Sequence, residues 1–228
     1  MAAGKVYFVV GTDTGVGKTV VTALIVRRLR DQGRRVMAVK PFCSGGRDDA
    51  RRIREALGGR VRLDQLNPWH FRAALTPLLA ARIEGVRLKW SDCLEFLRSA
   101  RSGCDTLLIE GAGGLLSPLG EGFDARDLIL ELRATPLIVC PNQLGAINQT
   151  RLVLEALPRR IAGRSRVVLI EPEKQCWASK SNTAALREIV GSERIHTFPR
   201  VDWPGTLRSR RLPRSVSNSV TTLLGQKE

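Results

Sequence analysis

The sequence predicts an α/β fold: a doubly wound, mostly parallel sheet with helices on both faces. Three observations predict it. Short β-type runs recur at residues 6–10, 36–39, 106–109, 137–140 and 167–170, with a weaker one at 194–198. They are continuously apolar rather than alternating, as strands buried on both faces of a parallel sheet are. Helical patterns lie between them along the whole chain, the alternation of repeated βα units.

Taken in order, Lys5-Val6-Tyr7-Phe8-Val9-Val10 forms the first strand. Residues 19–32 read as a helix, from Val20, Ala23, Leu24, Val26 and Leu29, that stops at Gly33. The strand at 36–39 is followed by a charged helix at 48–57. Helices at 77–84 and 91–101 come next, the second with Ser91 as its N-cap. A strand at 106–109, a helix at 124–133, a strand at 137–140 and a helix at 146–157 follow. The strand at 167–170, a helix at 181–190 and the weak strand complete the series. No repeat or linker interrupts it, so one domain is expected over residues 1–228, with an Arg/Ser-rich C-terminal segment from about 205 to 228. Its densest part, Arg208-Ser209-Arg210-Arg211-Leu212-Pro213-Arg214, has no interleaved aromatic residues for base stacking. It is expected to be solvated, with freedom to move.

Residues 11–19 read GTDTGVGKT and lie between the first strand and the first helix. That context makes a phosphate-binding loop of the P-loop nucleoside-triphosphatase type. Gly15 and Gly17 let backbone N–H groups approach a polyphosphate with no Cβ in the way. Lys18 supplies a point charge for the β- and γ-phosphates, and the Thr19 hydroxyl is suited to Mg²⁺. The helix that opens at Lys18 turns its positive end to the same anion. The loop is one residue longer than GxxxxGKT, because Thr12 stands where that spacing needs glycine and Gly11 precedes it.

The 228 residues suffice for one α/β domain with a sizeable core. No run of eighteen apolar residues predicts a membrane span, and no signal peptide precedes the first strand. Five cysteines, with no CxxC pair, suit a reducing cytoplasm better than a disulfide scaffold or zinc site. Cys43 lies nearest the expected chemistry and reads as a small buried side chain. The net charge of +15 raises nucleic acid as a partner, but most of the 37 basic residues are arginine, and no specific nucleic-acid motif accompanies them.

In doubly wound sheets, ligands bind outside the carboxyl ends of the strands. Lys40-Pro41-Phe42-Cys43-Ser44-Gly45-Gly46 follows the second strand; it reads by itself as a surface lysine beside a turn, or else brings an ammonium and a hydroxyl over the loop. Asp48 and Asp49 then open a helix, as capping acids or as a carboxylate for a metal. Glu110-Gly111-Ala112-Gly113-Gly114 follows the third main strand, where an acid holds Mg²⁺ directly or through water. Asn142-Gln143-Leu144-Gly145-Ala146-Ile147-Asn148 opens a helix with glycine, either an anion site or an ordinary turn.

Together the four segments resemble the dethiobiotin synthetase family. GTDTGVGKT, with its extra residue, KPFCSGG, IEGAGGLLSPL and NQLGAIN match that family's motifs in its order, over residues 5–157. The resemblance implies conversion of 7,8-diaminononanoate, CO₂ and ATP to dethiobiotin, ADP and phosphate. An amine forms a carbamate, ATP phosphorylates it, and the second amine closes the cyclic urea. By the same resemblance Thr14, Lys18, Lys40 and Ser44 surround the carbamate and γ-phosphate. Thr19, Asp49 and Glu110 arrange Mg²⁺, and Gly15, Val16, Gly17, Lys18, Thr19 and Val20 cradle the phosphates. Pro199, Arg200 and Val201 lie along the base. The resemblance also implies a homodimer in which backbone amides of Gly145, Ala146, Ile147 and Asn148 hold the substrate carboxylate from across the interface.

The match has departures. Glu171-Pro172-Glu173 stands where the family usually has an adenine-reading Asn. A carboxylate accepts but cannot also donate, as an amide can, so an altered base preference is expected. Thr76-Pro77-Leu78 replaces a Pro-His pair, and the resemblance is thin beyond residue 158. His70 and His196 match no motif position. Among rivals, a cobyrinate-amidating relative needs a second domain, a partitioning ATPase needs a lysine early in the loop where Thr12 stands, and a GTPase needs an Asn-Lys-x-Asp motif not found here. The alternative from another class is a nonenzymatic P-loop module that binds polyanions through its basic surface.

Overall fold

Val6, Phe8 and Val10 of the first strand point into one apolar cluster, and Tyr7 and Val9 into a second on the opposite face. Alternate side chains leave a strand on opposite sides, so a run apolar at every position must be covered twice. This explains the layered architecture. The structure, a computed structural model, describes residues 4–201, 205–209 and 211–225.

The elements run β1 (Lys5–Gly11), α1 (Lys18–Asp31), β2 (Val36–Val39), β3 (Phe42–Ser44), α2 (Asp48–Ala56), β4 (Trp69–Phe71), α3 (Pro77–Ile83), α4 (Trp90–Arg101) and β5 (Thr106–Gly114). There follow β6 (Pro118–Gly120), β7 (Phe123–Asp124), α5 (Ala125–Glu131), β8 (Thr135–Pro141), α6 (Ala146–Glu155), α7 (Arg159–Arg164), β9 (Arg166–Ile170), α8 (Trp177–Val190), β10 (Ile195–Phe198), α9 (Gly205–Arg208) and α10 (Arg214–Leu223). Six strands form one parallel sheet in the order β10-β9-β8-β1-β5-β2. The doubly wound fold expected from the sequence is therefore present. Helices α1, α2 and α10 cover one face and α4 to α8 the other. The carboxyl ends of β1, β2 and β5 lie side by side, because β1 and β2 flank β5.

Several local expectations change. Ser91 is not the N-cap of α4: that helix opens at Trp90 with Lys89 as cap, and the Ser91 hydroxyl donates to Asp92 instead. Strand β5 runs on through the glycine segment to Gly114. Two small sheets, β3 with β4 and β6 with β7, and the short α7 were not read from sequence. Beyond the basic run expected to be solvated, but within the Arg/Ser-rich segment from about 205 to 228, α10 buries Val216, Val220 and Leu223 against α1 and the sheet. Their spacing of four and three places them on one helix face, a pattern masked by the surrounding arginines and serines. Arg210 and residues 226–228 lie outside the described residues. No helix among the described residues is long and apolar enough to cross a membrane.

Two stability predictions arise here. Asp124 caps α5 by accepting from the N–H groups of Arg126 and Asp127, while Asp127 accepts from the N–H of Asp124. Asp124→Ala should cost about 1 kcal/mol, read by urea unfolding. His196 is buried in β10 with Nε2 unpartnered, facing Arg166, Arg187 and Glu193. Burial and then the two arginines push its pKa down from 6.5 to about 4. The unfolded chain therefore takes up a proton below pH 6.5 that the folded chain refuses, and stability falls from there toward pH 4. His196→Gln should flatten that part of a pH series of urea midpoints; an unchanged slope would contradict the assignment.

Candidate active site

The site is built where the β1–α1 loop meets the ends of β2 and β5. Gly11 lets the loop fold back on itself: a Cβ there would stand 2.5 Å from the Asp13 carbonyl and 2.9 Å from Lys18 Nζ. Gly17 caps α1 in the left-handed region at φ 100°, a conformation glycine takes without steric cost. Lys18 Nζ donates to the carbonyls of Asp13 and Gly113, at 2.8 and 2.9 Å. Burial, reinforced by the charge of Lys40, pushes the Lys18 pKa down to about 8.

Lys40 has the opposite environment. It is 4% exposed. Nζ stands 3.1 Å from Glu110 Oε1, 3.9 Å from Asp49 Oδ2, and donates to the Gly111 carbonyl at 2.5 Å. Burial works against its charge, but Glu110 and Asp49 outweigh it and hold the pKa above the ordinary lysine value. The two ammonium groups thus differ: Lys40 has carboxylate partners, whereas Lys18 holds only carbonyl oxygens.

Glu110 is 1% exposed and joins the two halves. Its Oε1 also accepts from the Thr19 hydroxyl at 2.8 Å, and its Oε2 is buried without a partner. A hydroxyl, a carboxylate with a spare oxygen and the nearby Asp49 are hard donors. They suit Mg²⁺, which takes one or two carboxylates and completes its shell with phosphate and water. The residues present therefore fit the ion expected from the sequence.

A cavity of about 550 Å³ opens over this cluster. Thr14, Gly15, Gly17, Lys18, Thr19, Val20, Lys40, Ser44 and Asp49 all line it, although they come from three separate segments. The Ser44 hydroxyl is buried without a partner. Cys43 also lines the cavity, but burial pushes its thiol up to about 11, so it remains protonated. The arrangement concentrates positive charge and oxygen donors at one end of an open chamber, as binding and transfer of a phosphoryl group require.

A family model described as an AAA domain matches residues 5–203. The chain is 39% identical over 225 residues to the ATP-dependent dethiobiotin synthetase BioD of Anaeromyxobacter sp. strain K, an alignment covering 96% of this chain and 97% of that one. The chain belongs to the dethiobiotin synthetase family. The synthetase of Haloferax mediterranei is 37% identical, with 85% of this chain and 83% of that one covered. Among solved structures, the MinC:MinD cell division complex of Aquifex aeolicus superposes with a TM-score of 0.57 at 17% identity, over 99% of this chain and 98% of that chain. That likeness concerns the fold alone. Membership makes the chain an ATP-dependent enzyme, and no finding favours the nonenzymatic alternative.

Not all expected residues meet in the cavity. Val16 turns its side chain into the core. Pro199, Arg200 and Val201 follow β10, whose end is tied to β9 by a bond from the Glu171 N–H to the Phe198 carbonyl. Gly145, Ala146, Ile147 and Asn148 open α6 and do not line this chain's cavity. Glu171 accepts from Asn142 Nδ2 at 3.1 Å. Sequence reasoning gave no role to Thr76 or Ser117, which line the cavity, or to Asn67 behind Lys40. Only a buried hydroxyl without a partner marks Thr76, and that is visible in the fold alone.

Proposed function

We propose that this synthetase closes the cyclic urea of dethiobiotin from 7,8-diaminononanoate, CO₂ and ATP. The observation that carries the reading is the convergence of Lys18, Lys40, Ser44 and Thr14 on one cavity, with Glu110 behind them. The carbamate and the γ-phosphate are both anions. Lys18 and Lys40 offset their repulsion and stabilise the charge that moves to ADP as the carbamate oxygen attacks phosphorus. The second amine then attacks the carbamoyl carbon and phosphate leaves. The substrate supplies its own nucleophiles, so no activated serine or cysteine is needed. Thr19, Asp49 and Glu110 would hold Mg²⁺, which supplies charge neutralisation on the phosphates.

Gly15 through Val20 form the phosphate cradle in this reading, and Pro199, Arg200 and Val201 face the base. A homodimer belongs to the same proposal. Leu144, 88% exposed beside Gly145, gives that face an apolar surface for a second copy, whose cavity the α6 amides of Gly145, Ala146, Ile147 and Asn148 would then reach. A cytoplasmic location is supported by five free cysteines. The deciding experiment is product formation from 7,8-diaminononanoate, bicarbonate and Mg²⁺ with each of four nucleoside triphosphates. Dethiobiotin supports the reading; none with any nucleotide, from folded protein that binds Mg-ATP, overturns it.

The same assay tests base preference. With Glu171 as an acceptor only, turnover with CTP or GTP should lie within about tenfold of ATP, since one lost hydrogen-bond type is worth roughly 1 kcal/mol. Glu171→Asn should sharpen the preference for ATP. Tight ATP selectivity in the unaltered enzyme would count against this expectation.

A further inference from the structure

Behind Lys40 lies a polar group that neither the cavity nor the motifs include. Asn67 is fully buried. Its Nδ2 donates to the carbonyls of Lys40, Pro41 and Trp69, at 2.8, 3.2 and 3.1 Å. Its Oδ1 accepts from Arg47 Nε at 2.9 Å, which fixes the orientation of the amide. Arg47 Nη2 also donates to the Asn67 carbonyl and to Asp64. The Lys40 N–H completes the tie by donating to the Leu66 carbonyl.

Arg47 has a second position in this arrangement: it is the N-cap of α2, the helix whose second residue is Asp49. One buried amide and one guanidinium therefore span the two segments that carry Lys40 and Asp49. Burying the Asn67 amide is costly unless both of its ends are paired; here Oδ1 meets Arg47, and Nδ2 meets the backbone on which Lys40 is mounted.

We propose that Asn67 and Arg47 are positioning residues for the reaction, setting the reach of the Lys40 ammonium and its distance from Asp49. The inference rests on the reading in Proposed function. Displacement of a catalytic group by about 1 Å can cost on the order of a hundredfold in rate, so a residue that never touches substrate can govern kcat.

The test compares Asn67→Asp, Arg47→Gln and Arg47→Lys with the unaltered enzyme, assayed below each variant's melting temperature. Asn67→Asp keeps the shape but removes the donor. The first two should lower kcat at least about tenfold, with KM for Mg-ATP within about threefold, and Arg47→Lys should recover part of the loss. In parallel, lysine acetylation followed by mass spectrometry reads Lys40 directly, with exposed Lys5 and Lys89 as references. Lys40 labelling should rise several-fold in Asn67→Asp and Arg47→Gln. A lower Tm with unchanged kcat and unchanged Lys40 labelling would reduce the pair to a structural role and overturn the inference. If Asn67→Asp does not fold, the Arg47 variants decide alone. If the unaltered enzyme makes no dethiobiotin, the functional reading falls while the labelling still decides whether Asn67 and Arg47 hold Lys40.

Discussion

Lys40→Met is expected to lower dethiobiotin formation by about a thousandfold and to destabilise the fold as well. Removing one preorganised charge from a transferring group costs about 10²- to 10³-fold. The structural cost arises separately. Lys40 stands 3.1 Å from Glu110, whose side chain is fully buried. Without the ammonium that carboxylate has lost its nearest counter-charge, and breaking a buried pair from one side costs about 3–5 kcal/mol. The double variant Lys40→Met/Glu110→Met should accordingly be more stable than either single variant, although just as inactive, because it buries no unpaired charge. Urea unfolding of the four proteins, with kcat for each, checks both halves. A Lys40→Met variant as stable as the unaltered enzyme would show that Glu110 finds another partner, and ordinary turnover in that variant would remove Lys40 from the chemistry.

Lys18→Met is expected to weaken Mg-ATP binding at least about a hundredfold, the scale of a lost charge-assisted contact of about 3 kcal/mol, yet to leave stability unchanged or higher. The contrast with Lys40 follows from their partners. Lys18 is buried but meets two backbone carbonyls and the repulsion of Lys40, which is why its pKa is pushed down to about 8. Glu110, Asp49 and Asp13 offset that burial only in part, and a desolvated charge so incompletely compensated opposes folding; under the proposed function a bound polyanion would neutralise it, a trade of stability for function. Calorimetric titration with Mg-ATP and thermal unfolding without it separate the two effects. A large loss of stability with intact nucleotide affinity would reverse the assignment.

Much of this was legible in the sequence because it is encoded locally. Four of the six main strands, β1, β2, β8 and β9, contain a continuous apolar run of four or more residues, and α1 is bounded by Gly17 and Gly33. The phosphate loop, Lys40, Ser44, Asp49 and Glu110 each sit within a short segment whose residue types announce their chemistry. Errors arose where local signals competed. Serine at 91 is a good cap, but the backbone before it was already extended at Lys89, so the helix opened one residue earlier. The arginines and serines of 205–228 hid the face formed by Val216, Val220 and Leu223.

The sequence by itself determined the fold class, the phosphate loop and the family, since each depends on short-range pattern and on motif order along the chain. Only the tertiary structure decided which partners each of the two lysines meets. Residues 18, 40 and 110 are far apart in sequence and come together because β1 and β2 flank β5 in the sheet. Whether an ammonium meets a carboxylate or a carbonyl depends on distances of a few ångströms across that sheet. So does the role of Asn67, whose three backbone acceptors lie on both sides of it along the chain. Electrostatic energy in a buried site varies steeply with separation and desolvation, and neither quantity is written in the order of the residues.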